Sequence, residues 1–186
     1  MKKYLIPVVV LSLMLQGCFT LPWTQTAARV YELPKQNMNI TFPDGWMHSD
    51  QQKDYLVLTR DGMLLQYIMV EPIHIDSTFT NTKKKLRRGM TPLEQAEVML
   101  DQMASDPDWA GFKVLEKKPA AVAGHNGFRA AFTFKDSDGL AYSGIVYGFL
   151  QNDWFYGLHY LAASRHYFDR DTKVFEDLVK SAKLRI

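Results

Sequence analysis

The sequence predicts an α+β domain: a twisted antiparallel sheet of about six or seven strands packed with two main helices. Three observations predict it. Aromatic residues make up 13% of the 186-residue chain, a share that favours strands over an all-helical bundle. Short runs of alternating or continuous apolar residues follow one another through links brief enough for antiparallel pairing. The two helical patterns do not alternate with the strands but interrupt and close them, which separates this chain from a parallel α/β fold.

The elements follow in order. Residues 1–17 are a leader. Lys2 and Lys3 form a short positive start, and residues 4–15 are apolar apart from Ser12 and the break at Pro7. About 12 residues are too few to cross a hydrocarbon layer of roughly 30 Å, so the stretch suits a cleaved signal and not a span. Residues 18–37 show no sustained period and contain Pro22 and Pro34. They are expected to be a tether reaching up to about 60 Å.

A single domain is expected over 38–186. Met38, Ile40 and Phe42 alternate, and Pro43-Asp44-Gly45 turns the chain into Trp46. Two apolar runs over 55–60 and 63–70 flank Asp61-Gly62, a dipeptide suited to a type I′ hairpin turn because both central residues of that turn need φ > 0. Residues 72–90 read as a long loop. Thr91-Pro92-Leu93-Glu94 then carries a capping residue, a proline at the first helical position and the acid of a capping box. Leu93, Ala96, Leu100, Met103 and Ala104 make the apolar stripe, and Ser105-Asp106-Pro107 ends the helix.

Residues 112–117 read as a strand and Gly124-His125-Asn126-Gly127 as a turn. Phe128, Ala130, Phe132 and Phe134 alternate along the next strand. Turns at 136–139 and 151–153 lead into strands over 142–150 and 154–161. Val174, Phe175, Leu178, Val179 and Ala182 mark a closing helix of about three turns. Gly144, Gly148 and Gly157 inside strands point to bends, or to places where a ring or a helix lies on the backbone. Trp46, Phe132, Phe134, Leu158, Phe175 and Leu178 are the expected core.

Leu15-Gln16-Gly17-Cys18, directly after the apolar leader, resembles the lipobox of bacterial lipoproteins. The resemblance implies cleavage between Gly17 and Cys18, a diacylglyceryl thioether on Cys18 and acylation of the new amino group. It also implies an outer-membrane address facing the periplasm, because Phe19 and not Asp follows the cysteine. Several acyl chains, at about 0.8 kcal/mol per buried CH₂, make such an anchor permanent. Phe42-Pro43-x-Gly45-Trp46, the hairpin after it, the mid-chain helix, the meander and the closing helix resemble the PsbP-like superfamily. That superfamily groups photosystem extrinsic subunits, a Ran-binding nuclear import factor and bacterial lipoproteins. The resemblance implies binding and assembly more than catalysis.

Charge and chemistry narrow the function further. Loss of Lys2 and Lys3 with the leader leaves 20 basic residues against 20 acidic ones, and a neutral domain does not suit nucleic acid. Cys18 is the sole cysteine, so neither an internal disulfide nor a thiolate zinc site can be built. The histidines at 48, 74, 125, 159 and 166 are scattered, and His74-Ile75-Asp76 supplies at most two ligands. Asp136-x-Asp138-Gly139 lacks the later ligands of a calcium loop, since Leu140 and Tyr147 occupy their places. No cofactor or metal is expected, and no catalytic constellation is visible.

Lys83, Lys84, Lys85, Arg87 and Arg88 form the one charge anomaly, suited to a solvated loop or to an acidic partner surface or anionic lipid. If Phe155 and His159 stand exposed beside the Trp154, Tyr156, Leu158 and Tyr160 stripe, they line a groove. Two functional classes stand: a non-catalytic binding or assembly module of the bacterial envelope, and a small-ligand or lipid carrier with an apolar pocket between sheet and helices. An enzyme trails both.

Overall fold

The computed structural model describes residues 23–49, 51 and 54–185. In chain order the elements are β1 Thr24–Gln25, β2 Val30–Leu33, β3 Met38–Thr41, β4 Met47–Ser49, β5 Leu56–Thr59, β6 Gln66–His74, α1 Pro92–Ala104, β7 Ala110–Val122, β8 His125–Lys135, β9 Ala141–Gln151, β10 Trp154–Ala163, α2 Tyr167–Ser181 and β11 Lys183–Leu184. Eight strands form one sheet in the order β1-β4-β5-β6-β10-β9-β8-β7, and three form a second in the order β11-β3-β2. Every pairing is antiparallel. The class is α+β as the pattern predicts, but the strand count exceeds six or seven.

Part of the excess comes from the expected tether over 18–37. From Thr24 onward it is built into the fold. Thr24 and Gln25 pair with His48 and Met47 at one sheet edge, and residues 30–33 pair with β3. Thr26 locks the entry by donating its hydroxyl to the carbonyl of Pro43 and its N–H to Trp46 O at 2.7 Å. Such two- to four-residue strands lack a legible period, which is why the sequence reads as coil.

The central strands β9 and β10 bury both faces, while the edge strand β7 is mostly exposed. Along β8, Phe128, Ala130, Phe132 and Phe134 face α1, whereas Ile145, Tyr147 and Phe149 of β9 face α2 with Tyr156, Leu158 and Tyr160 of β10. All six expected core residues are buried. The helix α1 starts as its sequence predicts: Glu94 N–H donates to Thr91 Oγ1, and the Glu94 carboxylate accepts from Thr91 N–H at 2.7 Å. Its inward face differs from expectation. Gln95, Ala96, Val98, Met99 and Leu100 are buried, while Leu93 in the first turn is exposed. The closing helix runs 15 residues, one turn more than its apolar positions mark.

Two turns also differ. Between β5 and β6 the chain spends residues 60–65 in a loop, and of Asp61-Gly62 only Gly62 takes positive φ. The Thr59 side chain organises this loop, donating to Gln66 O at 2.7 Å and accepting from Gly62 N–H at 3.0 Å. The two-residue turns with both φ positive are Asn152–Asp153, joining β9 to β10, and Ala123–Gly124, joining β7 to β8. Gly127, expected in a turn, instead lies in β8, where an added Cβ would stand 2.2 Å from Gly148 O.

Candidate functional site

The register between β6 and β10 places Met69 opposite His159 and Glu71 opposite Gly157. Tyr67, Met69, Glu71 and Ile73 therefore share one face of β6, because side chains repeat every two residues. His159 and Leu161 join them from β10. The His159 ring lies over Gly157: a Cβ there would stand 2.5 Å from Nε2. From this position Nε2 is 2.9 Å from Glu71 Oε1, with side-chain exposures of 2% and 21%. The approach lacks hydrogen-bond alignment, and Nε2 is a buried nitrogen with no hydrogen-bond partner. His159 and Phe155 are both buried, so the exposed groove suggested for them does not form; α1 and the loop before it cover that face.

Met99, Gln102 and Met103 hang from α1 over this floor and leave a cleft of about 230 Å³. Gln102 holds the loop wall by accepting from Asn81 N–H at 3.1 Å. At the far side Trp109 stacks on Phe134 with ring centres 3.9 Å apart. Two carboxylates, Glu71 and Asp106, line the cleft, and among the described residues no lysine or arginine does. Burial pushes the Tyr67 hydroxyl up to about 12, and the negative charge of Glu71 adds to the shift. In chemical terms the cleft is an apolar cavity with a negative bias. The sequence hides it, because a glutamate in one strand and a histidine in another become neighbours only through a register of 88 residues' separation.

The basic segment is less free than its sequence suggests. Leu86, in its midst, is buried against the α1 face. Lys84 Nζ is 3.3 Å from Asp101 Oδ1 on α1, and Arg88 forks onto Asp153, with Nη2 donating to Oδ2 at 2.5 Å. The Arg88 guanidinium holds the Asp153 carboxyl below its ordinary value. Lys83, Lys85 and Arg87 are exposed. The structure thus splits the five cations into two pinned and three free to meet solvent or a partner. Gly17 and Cys18, the expected cleavage and lipidation positions, lie outside the described residues.

Asp136 shapes a turn and not a cation loop. Its carboxylate accepts from the N–H groups of Asp138 and Leu140 at 3.0 and 2.9 Å. At that end of the sheet Leu140, Met63 and Leu64 are exposed, Leu64 to 82%. Tyr142 ties the two loops together by donating to Leu64 O at 2.5 Å.

No family model matches the chain, and no curated protein matches it in sequence. Solved structures do. The solution structure of cyanobacterial PsbP (CyanoP) from Synechocystis sp. PCC 6803 superposes with a TM-score of 0.59 at 14% identity, over 90% of this chain and 95% of that one. The crystal structure of Mog1p, a Ran-binding protein of Saccharomyces cerevisiae, superposes with a TM-score of 0.57 at 8% identity, over 89% and 97%. A protein from Bacteroides thetaiotaomicron matches at 0.52 and 6% identity, over 87% of this chain and 50% of that one. At such identities the likeness is one of fold, and the fold of this chain is PsbP-like.

Proposed function

We propose that the chain is a lipid-anchored periplasmic protein of the bacterial outer membrane that acts as a non-catalytic binding or assembly module. The observation that carries the reading is the position of the sole cysteine, Cys18, immediately after Leu15-Gln16-Gly17 at the end of an apolar leader. The fold supports the second half, since it is shared with a protein that binds Ran and since fold alone assigns no chemistry. Partners are envelope proteins or anionic lipid, met through Lys83, Lys85 and Arg87 or through the apolar tip at Met63, Leu64 and Leu140. Exposed apolar groups gathered at one end suit a protein contact. Entry of residues 24–33 into the sheets leaves six residue steps from Cys18 to β1, about 20 Å at full extension. The domain therefore works close to the bilayer.

Cys18→Ser tests the anchor. The variant is expected to leave the membrane fraction, and sedimentation with outer membranes after a high-salt wash overturns lipidation as the sole anchor. Exchanging Lys83, Lys85 and Arg87 for Gln is expected to weaken binding to anionic vesicles at low salt, an effect that fades as salt screens the contact. Unchanged binding reduces the segment to a solvated loop.

The cleft beneath α1 favours a second reading, small-ligand binding. Its volume of about 230 Å³ falls below the roughly 300–1,000 Å³ of ordinary ligand pockets, so it suits a small molecule and not an acyl chain.

A further inference from the structure

We infer that the cleft between α1 and the β6–β10 ladder is a binding site for a small organic cation, an ammonium group carried on an apolar body. The inference deepens the small-ligand reading of this cleft and rests on it. It is independent of the anchor.

The charge of the lining is one-sided. Glu71 and Asp106 are its carboxyl groups, and among the described residues no lysine or arginine lies in the wall. Elsewhere on this domain carboxylates find cations readily: Glu116 and Glu176 share Arg129, and Asp61 and Asp171 share Arg170. Glu71 instead faces an imidazole that approaches to 2.9 Å without making a hydrogen bond. A carboxylate that is four-fifths buried requires a positive or donating partner, because burying an unpaired charge is expensive. An ammonium group supplies both the charge and the N–H donors.

The remaining wall suits the body of such a ligand. Met69, Met99 and Met103 are flexible thioethers that reshape around irregular apolar groups. Phe79 and Trp109 add aromatic surface, which attracts cations as well as apolar groups. The floor is purpose-shaped, since glycine in a strand interior weakens it and Gly157 is the residue that lets the His159 ring lie flat beside Glu71. Tyr67 reports the same negative field, its hydroxyl held protonated by burial and by Glu71.

The test compares benzylammonium with its neutral and anionic counterparts, benzyl alcohol and phenylacetate. Each is titrated calorimetrically into the full chain in solution, with the same titration into buffer as the blank. Saturable binding of benzylammonium, at least roughly tenfold tighter than that of the other two, is expected. Glu71→Gln is expected to abolish that preference with a melting temperature equal to or above that of the wild type, since it removes a largely buried charge, whereas Glu97→Gln, an exposed position on α1, leaves the preference intact. Equal binding of benzylammonium and benzyl alcohol, or indifference to Glu71→Gln, overturns the cation assignment while leaving a ligand cleft. Absence of saturable binding by all three probes overturns the cleft reading as well.

Discussion

The two faces of the β9–β10 hairpin are made of opposite materials. Toward α2 the pair presents Ile145, Tyr147, Phe149, Tyr156, Leu158 and Tyr160. Toward α1 it presents Gly144, Val146, Gly148, Phe155, Gly157 and His159. On the first face large side chains stand up from the sheet and meet Phe175, Leu178 and Val179 of α2, sealed further by the small sheet. On the second face rings lie down over glycines: Phe132 over Gly144, Phe155 and Phe128 over Gly148, His159 over Gly157. Beside His159 the flat ring leaves room for the cleft under α1, while the standing side chains pack on Phe175 and Leu178. Away from them α2 keeps a groove of its own, about 590 Å³, along Ala131, Ile145, Thr172 and Glu176.

Substitutions at the two faces sharpen the contrast, and truncation of a standing ring has the largest effect. Phe175→Ala is expected to cost about 3–5 kcal/mol, the range for a buried ring whose cavity cannot collapse. Phe132→Ala belongs to the same class, because Phe132 is flat but fully covered. Met103→Ala, on the half-buried rim of the cleft, is expected to cost less than about 2 kcal/mol. Denaturant midpoints at constant slope measure all three. Equal losses at Phe175 and Met103 would erase the distinction between the packed core and the rim of the cleft.

Next come the glycines. Gly148→Ala drives a methyl to 2.4 Å from Phe155 and 2.8 Å from Phe128, two rings pinned from both sides. The expected loss is about 1–3 kcal/mol, as for other overpacked cores. Gly157→Ala meets His159 Nε2 at 2.5 Å and the edge of Phe155 at 3.3 Å; the imidazole tip borders the cleft and can swing into it, so the expected loss is smaller. Its signature is a displaced His159 ring signal in NMR. A Gly157→Ala cost above that of Gly148→Ala would mean that His159 is locked and the floor rigid.

These contrasts also define what the sequence could disclose. The capping box at Thr91 and the alternation of Phe128 to Phe134 depend on neighbours within a few residues, so they are legible. Strand register is not. The apolar run over 63–70 shows a strand, but it stops short of Glu71 and Ile73, which the strand includes, and nothing local places His159 beside Glu71. Short strands fail for the related reason that Thr24–Gln25 and Val30–Leu33 owe their form to partners at 47–48 and 38–41. The basic segment shows the limit for charge. Its composition marks a surface loop, but the pairing of Lys84 and Arg88 with Asp101 and Asp153 and the burial of Leu86 come from tertiary structure alone.

The helix over the open face has its own smaller test. Thr91→Ala removes the hydroxyl half of the capping box, keeps the backbone N–H that donates to Glu94, and is expected to cost about 1 kcal/mol. Thr91 N–H, and after it the Thr91 hydroxyl, hold the Glu94 carboxyl below its ordinary value. A depressed carboxyl stabilises fully above its unfolded value and loses that contribution as pH falls through the folded one. The difference between wild type and Thr91→Ala should therefore shrink on acidification below the ordinary carboxylate range. A pH-independent difference would assign the loss to the bond that the hydroxyl accepts from Glu94 N–H, and none of it to the bond that it donates to the carboxylate.

The smallest effect compares two turns with one geometry and different residues. Asn152–Asp153 and Ala123–Gly124 each join neighbouring strands with two residues at positive φ, 50° and 66° in the first, 51° and 81° in the second. Type I′ turns favour Asn-Gly, because asparagine tolerates the left-handed region and glycine enters it freely. Ala123 has no such tolerance, and the left-handed conformation costs an ordinary L-residue about 1–2 kcal/mol. Ala123→Asn is therefore expected to stabilise the domain by about 0.5–1 kcal/mol, part of the relief being offset because Ala123 packs partly on the core. Ala123→Gly should come out near zero, since the relieved strain is balanced by the greater freedom of glycine in the unfolded chain. The converse change, Asn152→Ala in the exposed turn, should destabilise by a similar amount. If Ala123→Asn instead lowers the denaturant midpoint while Asn152→Ala also lowers it, packing of the Ala123 methyl outweighs the backbone, and the two turns are equivalent in shape but not in what holds them.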